Sequence, residues 1–240
     1  MARLSGLPER VLCRLSAMAP LRRWLIVLVI GALAALGQAP VGFWPATYAM
    51  FALLFGLFLT TTTWRQATWL GWVFGTGYFL LALSWIVEPF LVDVARHGWM
   101  APFALIGLAA GLALFFAAGL ALGRVAGGGA AGFIGGLGLL EGARGYVFTG
   151  FPWAQPGHVL IDTGLLHWAS YLGSLGLTAL VLGGAAALWH AVSGGRAAAA
   201  VLLVLGMLWP LGTFLRPDAA APEGAPTVRL IQPNVAQSLK

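Results

Sequence analysis

Charged residues and cysteine are scarce in this sequence. Only 8% of its 240 residues are Asp, Glu, Lys or Arg, whereas a soluble globular domain carries about 25%. The chain has one cysteine, Cys13, which excludes an internal disulfide framework and a metal cluster built on cysteine ligands. It also has one lysine, Lys240, and its twelve arginines are scattered. An ordinary soluble domain is therefore excluded, and the scattered charge does not predict nucleic-acid binding.

Apolar residues make up most of the chain. They account for 60% of it, the mean hydropathy is +0.90, and a helix needs about 20 apolar residues to cross a membrane. We therefore predict that residues 22–215 form an all-α polytopic membrane helix bundle with about seven transmembrane helices. The predicted spans cover about residues 22–39, 45–62, 67–87, 100–122, 127–146, 165–189 and 197–215.

The start of the chain is basic. Residues 1–23 contain five arginines and one acid, and an apolar run follows. A cleaved signal peptide has the same layout, but cleavage after Ala39 would have to cut before Pro40, which is a poor context. We therefore predict a cytoplasmic, basic N-terminal tail of residues 1–21 and an uncleaved first span.

Basic residues are divided unevenly between the two ends of the predicted spans. With the N-terminus in the cytoplasm, the cytoplasmic segments hold eight arginines and one acid, a net charge of +7. The opposite segments hold five basic residues and six acids, a net charge of −1. Because positively charged loops tend to stay in the cytoplasm, the sequence predicts that the loop after the fifth span lies outside it.

Three glycines, Gly128, Gly132 and Gly136, recur every four residues in the fifth predicted span. That spacing puts them on one helix face, and a face without side chains lets a second transmembrane helix approach closely. The alternative is that these glycines only reflect a low-complexity composition that is rich in alanine and glycine. The regular spacing favours helix packing, and we interpret Gly71, Gly75 and Gly77 of the third span in the same way.

Residues 141–162 lie between two predicted spans and yet carry four ionisable side chains, those of Glu141, Arg144, His158 and Asp162. The aromatic residues of this stretch are Tyr146, Phe148, Phe151 and Trp153. It is too long and too aromatic for a plain turn, and ionisable groups at a membrane boundary suggest function. The alternative is an interfacial loop that its aromatic residues merely anchor, with Glu141 and Arg144 paired at i,i+3 spacing.

Local catalytic motifs are scarce. The four histidines show no spacing typical of a metal site. The sequence also has no phosphate-binding glycine loop followed by lysine and no nucleophile elbow. It therefore predicts no metal site and no cofactor.

The composition changes after the last predicted span. Residues 216–226 form a Pro/Ala-rich linker, and in residues 227–240 the segment TVRLIQ predicts a short β-strand. A single strand cannot satisfy its own hydrogen bonds or bury a face. We therefore expect that the chain is truncated just after the start of an α/β domain.

Four stretches carry a resemblance to a known family: RGYVFTGFPWAQPGH at residues 144–158, VRLIQPNVAQSLK at 228–240, WPATYAMFALLFGLF at 44–58 and GWVFGTGYFLLALSWI at 71–86. They resemble the bacterial apolipoprotein N-acyltransferases. The second stretch is similar to the first strand of that family's nitrilase-like (carbon-nitrogen hydrolase) domain. Pro233 stands where family members usually have glycine.

The resemblance implies a fold, an activity and a location. Family members have about eight membrane helices in the bacterial inner membrane, with a periplasmic nitrilase-like domain inserted before the last helix. They transfer an acyl chain from a phospholipid to the N-terminal cysteine amine of a diacylated lipoprotein. The acyl chain passes through a thioester on a cysteine, with a glutamate as base and a lysine that stabilises the oxyanion. The resemblance places all three catalytic residues beyond Lys240, so none is expected in this chain.

The predicted substrate-binding residues are Arg144, Trp153, Glu141 and Phe151. A guanidinium can hold a lipid phosphate through two parallel hydrogen bonds, and Trp153 can flank an acyl chain. The alternative for Arg144 is that Glu141 holds it and that it only ends the helix. Two other functions stay open: a small transporter, which usually shows two similar halves, and a non-catalytic membrane scaffold.

Overall fold

The computed structural model describes residues 7–215 and residue 229, and within these residues the fold is all-α. Its longer helices are α1 (Leu7–Ala17), α2 (Pro20–Ala34), α3 (Trp44–Thr60), α4 (Trp64–Ala82), α5 (Ala101–Val125), α6 (Gly129–Arg144), α7 (Ala169–Val192) and α8 (Arg196–Phe214). Short helical segments lie between them at Ala35–Gly37, Ser84–Leu91, Val94–His97, Gly98–Met100, Val147–Thr149, Pro156–Leu160 and Gly164–Trp168.

Each of the seven predicted spans corresponds to one of the helices α2 to α8, so the predicted all-α polytopic bundle is confirmed. Within the described residues, four helical stretches are long and apolar enough to cross a membrane: Pro20–Gly37, Val94–Val125, Gly164–Val192 and Arg196–Phe214. Helix α4 and the helical segment after it, bent by 48°, make a fifth if they count as one span. Helices α3 and α6 are shorter, with 17 and 16 residues. A 16-residue helix rises about 24 Å, less than the roughly 30 Å of hydrocarbon.

The structure allows only some of the predicted domain limits to be compared with it. Helix α1 lies inside residues 1–21, for which the sequence predicted only a basic tail. Its Leu15 joins the core of the bundle, while Arg10 and Arg14 are exposed. The predicted linker (216–226) and first strand (227–240) lie outside the described residues, apart from residue 229.

Local sequence signals set where several helices begin. Proline stands in the first turn of α2, α3 and α5, where its missing N–H costs nothing and its fixed φ suits a helix. Helix α4 begins after Thr63, whose side-chain oxygen accepts a hydrogen bond from the N–H of Gln66 at 3.3 Å. This is the arrangement of a helix N-cap.

Helix α4 lies between α2 and α5 and touches both through glycine. A Cβ on Gly77 would lie 2.8 Å from the carbonyl carbon of Leu28 in α2. On the other side, a Cβ on Gly71 would lie 2.8 Å from the carbonyl carbon of Phe116 in α5, and one on Gly75 3.1 Å from the Cβ of Ala113. The interpretation of these three residues as packing glycines is confirmed.

The glycine face predicted for the fifth span packs α6 against α5. A Cβ on Gly136 would lie 2.8 Å from the backbone nitrogen of Gly123, and one on Gly132 3.1 Å from the carbonyl carbon of Gly123. Gly128 differs from the prediction, because it precedes α6 with a φ of 69° and does not lie on the helix face. That positive φ ends the turn after α5, a conformation that glycine adopts without strain.

Candidate functional site

The segment after α6 turns back onto the end of that helix. The N–H of Phe151 donates to the carbonyl oxygen of Arg144 at 2.9 Å. Gly150 makes this turn with a φ of 87°, a conformation that strains an L side chain. A Cβ on Gly150 would also lie 2.9 Å from the carbonyl carbon of Gly145. The turn therefore requires glycine at this position.

Arg144 and Glu141 form a buried ion pair in the last turn of α6. Arg144 Nε donates to Glu141 Oε1 at 2.9 Å, and Arg144 Nη2 donates to Glu141 Oε2 at 2.6 Å. This is the bidentate geometry in which guanidinium and carboxylate match best. Each residue is only 1% exposed. The pairing suggested by their i,i+3 spacing is therefore present.

The third nitrogen of the guanidinium holds the loop. Arg144 Nη1 donates to the carbonyl oxygen of Phe151 at 2.5 Å and to that of Trp153 at 2.8 Å. The guanidinium carbon also lies 5.1 Å from the centre of the Phe79 ring in α4, within the range of a cation–π contact. All three guanidinium nitrogens of Arg144 are thus engaged, and one side chain joins α6, α4 and the loop.

A second set of buried polar groups continues from this pair towards α2. Gln38 Nε2 donates to the Tyr78 hydroxyl at 2.6 Å and to the Gln155 carbonyl oxygen at 2.9 Å. The Tyr78 hydroxyl donates to the Ala154 carbonyl oxygen at 3.1 Å, and Gln155 Nε2 donates to the Glu141 carbonyl oxygen at 3.4 Å. Gln155 Oε1 is buried and has no partner within the described residues. These contacts fix the loop to the ends of α2 and α4.

Sequence reasoning missed this polar set. Gln38 and Gln155 are 117 residues apart, and no local spacing connects them. The one available signal was that each is an uncharged polar residue close to a proline in an apolar chain. Burial of such a group requires a hydrogen-bond partner, but the sequence does not reveal which residue supplies it.

A cavity of about 400 Å³ opens beside the loop; we call it the tryptophan cavity. Its wall includes Gln38, Trp85, Trp153, His158 and Asp162. The rings of Trp85 and Trp153 meet edge to face, with centres 6.0 Å apart. Burial lowers the pKa of His158, and the positive charge of Arg144 lowers that pKa further. The imidazole is therefore neutral at physiological pH.

The four residues predicted to bind substrate come together, but in different environments. Glu141 and Arg144 are buried, Phe151 is partly buried against the core, and Trp153 is 59% exposed at the tryptophan cavity. Tyr146 and Phe148, from the same aromatic cluster, are 84% and 93% exposed. The arrangement can hold and orient an apolar or amphipathic molecule beside Trp153.

The histidines considered from the sequence do not form a metal centre within the described residues. Among the described residues, no three His, Cys, Asp or Glu side chains are placed to share a metal ion. His190 lies at the opposite end of the bundle, where its ring meets Phe55 edge to face at 5.3 Å.

Comparison with known proteins identifies the family. Residues 30–187 match the family described as the apolipoprotein N-acyltransferase N-terminal domain. The chain is 39% identical to the apolipoprotein N-acyltransferase of Caulobacter vibrioides, over 90% of this chain and 42% of that protein. It is 34% identical to the protein of the same name from Rhizobium etli, over 97% of this chain and 48% of that protein.

The chain thus spans less than half the length of these relatives. The family match nevertheless covers α3 to α6 completely, together with the Glu141–Arg144 pair and the loop that it holds. The ion pair and the loop that it holds therefore lie within the part of the chain that the family model matches. This chain belongs to the apolipoprotein N-acyltransferase family.

Proposed function

We propose that this chain forms the membrane portion of an enzyme that N-acylates lipoproteins. In this proposal an acyl chain passes from a phospholipid to the N-terminal cysteine amine of a diacylated lipoprotein. Membership of the family, whose relatives carry this activity in their name, supports the proposal. Because the relatives are more than twice as long as the matched part, we assign the acyl-transfer chemistry to the part that this chain does not cover.

The observation that carries the role of this portion is the loop held by Arg144. The guanidinium of Arg144 binds a carboxylate and two carbonyl oxygens. With these hydrogen bonds it fixes the backbone on either side of Pro152. It thereby sets the position of the Trp153 ring at the cavity. We assign Trp153 and Phe151 to contact with the lipid substrate, and Arg144 and Glu141 to positioning that contact surface. Of the four residues predicted to bind substrate, Trp153 and Phe151 keep that role in this proposal, and Arg144 and Glu141 take a positioning role instead.

We propose an inner-membrane location with the N-terminus in the cytoplasm. Multi-pass insertion is supported by the apolar helices, and we assign the chain to the inner membrane, where the proposed donor and acceptor would meet. Net charges of +7 and −1 at the two ends of the spans favour a cytoplasmic N-terminus. The loop, the tryptophan cavity and the acceptor then share the periplasmic side.

Complementation tests the proposed function. The full-length protein is expressed in a strain depleted of its own N-acyltransferase, and lipoprotein N-termini are examined by mass spectrometry. We expect triacylated lipoproteins with the full-length protein and only diacylated ones with residues 1–240 alone. Persistence of diacylated lipoproteins with a well-expressed full-length protein would contradict the enzyme proposal and favour the scaffold or transporter alternative.

A further inference from the structure

The described wall of the tryptophan cavity contains one carboxylate, that of Asp162, and no arginine or lysine. Asp162 is exposed at this wall, and within the part of the chain that the structure describes it forms no hydrogen bond or ion pair. An exposed carboxylate needs no protein partner, and it can pair with the cationic group of a ligand.

Two aromatic rings line the same cavity as this carboxylate. Trp85 and Trp153 are 51% and 59% exposed, and their rings lie in an edge-to-face arrangement with an interplanar angle of 61°. In such a pair each ring keeps at least one face free of the other. The face of an indole is electron-rich and attracts an ammonium ion more strongly than phenyl or phenol does.

The charges around the cavity agree with a cationic occupant. His158, the other ionisable residue of the wall, is neutral at physiological pH for the reasons given above. Arg144 does not line the cavity, and its guanidinium is paired with Glu141 through two hydrogen bonds. Asp162 therefore supplies the net charge of the wall, which is negative.

We propose that the tryptophan cavity binds an ammonium group, with Asp162 as its counter-ion and Trp85 and Trp153 beside it. This inference rests on the proposed function, and it names what the site recognises. Two molecules of that reaction present the group: a phospholipid with an ethanolamine headgroup and an acceptor with a free α-amine. A cavity of about 400 Å³ has room for the ammonium-bearing part of either molecule. The acyl chains would lie along the apolar surface of the bundle.

Binding to matched pairs of ligands tests the proposal. Full-length protein in detergent is titrated with short-chain phosphatidylethanolamine and with the same lipid acetylated on nitrogen. A diacylated cysteinyl peptide is used in its free-amine and N-acetylated forms. Affinity is followed by calorimetry and by tryptophan fluorescence, since two tryptophans line the site. We expect the ammonium form of at least one pair to bind about tenfold more tightly, a difference of about 1.4 kcal/mol.

Asp162→Asn should abolish this difference while leaving the thermal stability of the protein unchanged. Glu88→Gln is the matched control, because Glu88 is exposed at the same end of the bundle and outside the cavity wall; this variant should keep the difference. A preference confined to the lipid pair identifies the donor headgroup as the ligand, and one confined to the peptide pair identifies the acceptor amine. Equal binding of acetylated and free forms, or a preference that survives Asp162→Asn, would overturn the proposal.

Ligand binding and acyl transfer are measured separately, so the ammonium site and the proposed function can fail independently. A protein that discriminates ammonium but transfers no acyl chain would contradict only the enzyme proposal. A protein that transfers acyl chains without this discrimination would contradict only the ammonium site.

Discussion

Arg144 is the residue on which the site depends most. It is fully buried, and its removal would leave the Glu141 carboxylate without its cation and the carbonyl oxygens of Phe151 and Trp153 without a donor. Breaking a buried ion pair from one side costs about 3–5 kcal/mol. We therefore expect Arg144→Gln to lower the melting temperature in detergent markedly and Glu141→Gln to lower it too. Arg96→Gln, at an exposed arginine of the same end, should change it little.

The same pair of variants distinguishes the two roles that the sequence left open for Arg144. If Arg144→Gln were as stable as the unchanged protein but lost acyl transfer, the guanidinium would be acting on a lipid phosphate and not on the loop. A parallel loss of stability and activity supports the positioning role.

Trp153 is expected to behave differently, because the loop is held through its carbonyl oxygen and not through its ring. Trp153→Ala should leave the folded amount and melting temperature nearly unchanged. In the full-length protein it should lower acyl transfer about tenfold, which corresponds to about 1.4 kcal/mol of transition-state stabilisation. Tyr146→Ala is the control, since Tyr146 is 84% exposed and does not line the tryptophan cavity. Equal activity of the two variants would remove Trp153 from the site.

Residue patterns predicted part of this site. The i,i+3 spacing of Glu141 and Arg144 indicated their pairing, and the ionisable, aromatic loop indicated a functional segment. The burial of the pair, its bonds to two loop carbonyls and the partnership of Gln38 with Gln155 were not predictable. They depend on which helix ends meet in three dimensions, and spacing along the chain carries no record of that.

At the scale of helices, α6 contains one glycine that packs against α5, Gly136, and one that does not, Gly135, which serves as a control. Gly136→Ala places a Cβ against the backbone of α5, where Gly119 and Gly123 leave no room. Overpacking of this kind costs about 1–3 kcal/mol. A Cβ on Gly135, one residue earlier, meets nothing within 4 Å, so Gly135→Ala should gain up to about 1 kcal/mol from helix propensity. We expect opposite shifts in melting temperature, and shifts of the same sign would show that α5 and α6 do not pack through this face.

Helix positions were well predicted because long apolar runs are a strong local signal. Helix α1 was missed because it is short and carries two arginines, although Leu12 and Leu15, three residues apart, both pack in or against the core of the bundle. Gly128 was placed on the wrong side of a helix start. Spacing of four residues cannot distinguish a glycine inside a helix from one that precedes it with a positive φ.

At the scale of the whole molecule, the proposed orientation puts the Arg144 loop and the α7–α8 turn on opposite sides of the membrane. The most direct measurement introduces one cysteine at Tyr146 or at Ser193 on a Cys13→Ser background; both positions are exposed. A membrane-impermeant maleimide is added to intact cells, and lysed cells show that both positions can react. We predict labelling of Tyr146→Cys in intact cells and of Ser193→Cys only after lysis. Labelling of Ser193→Cys but not of Tyr146→Cys in intact cells would place the loop in the cytoplasm and contradict the account.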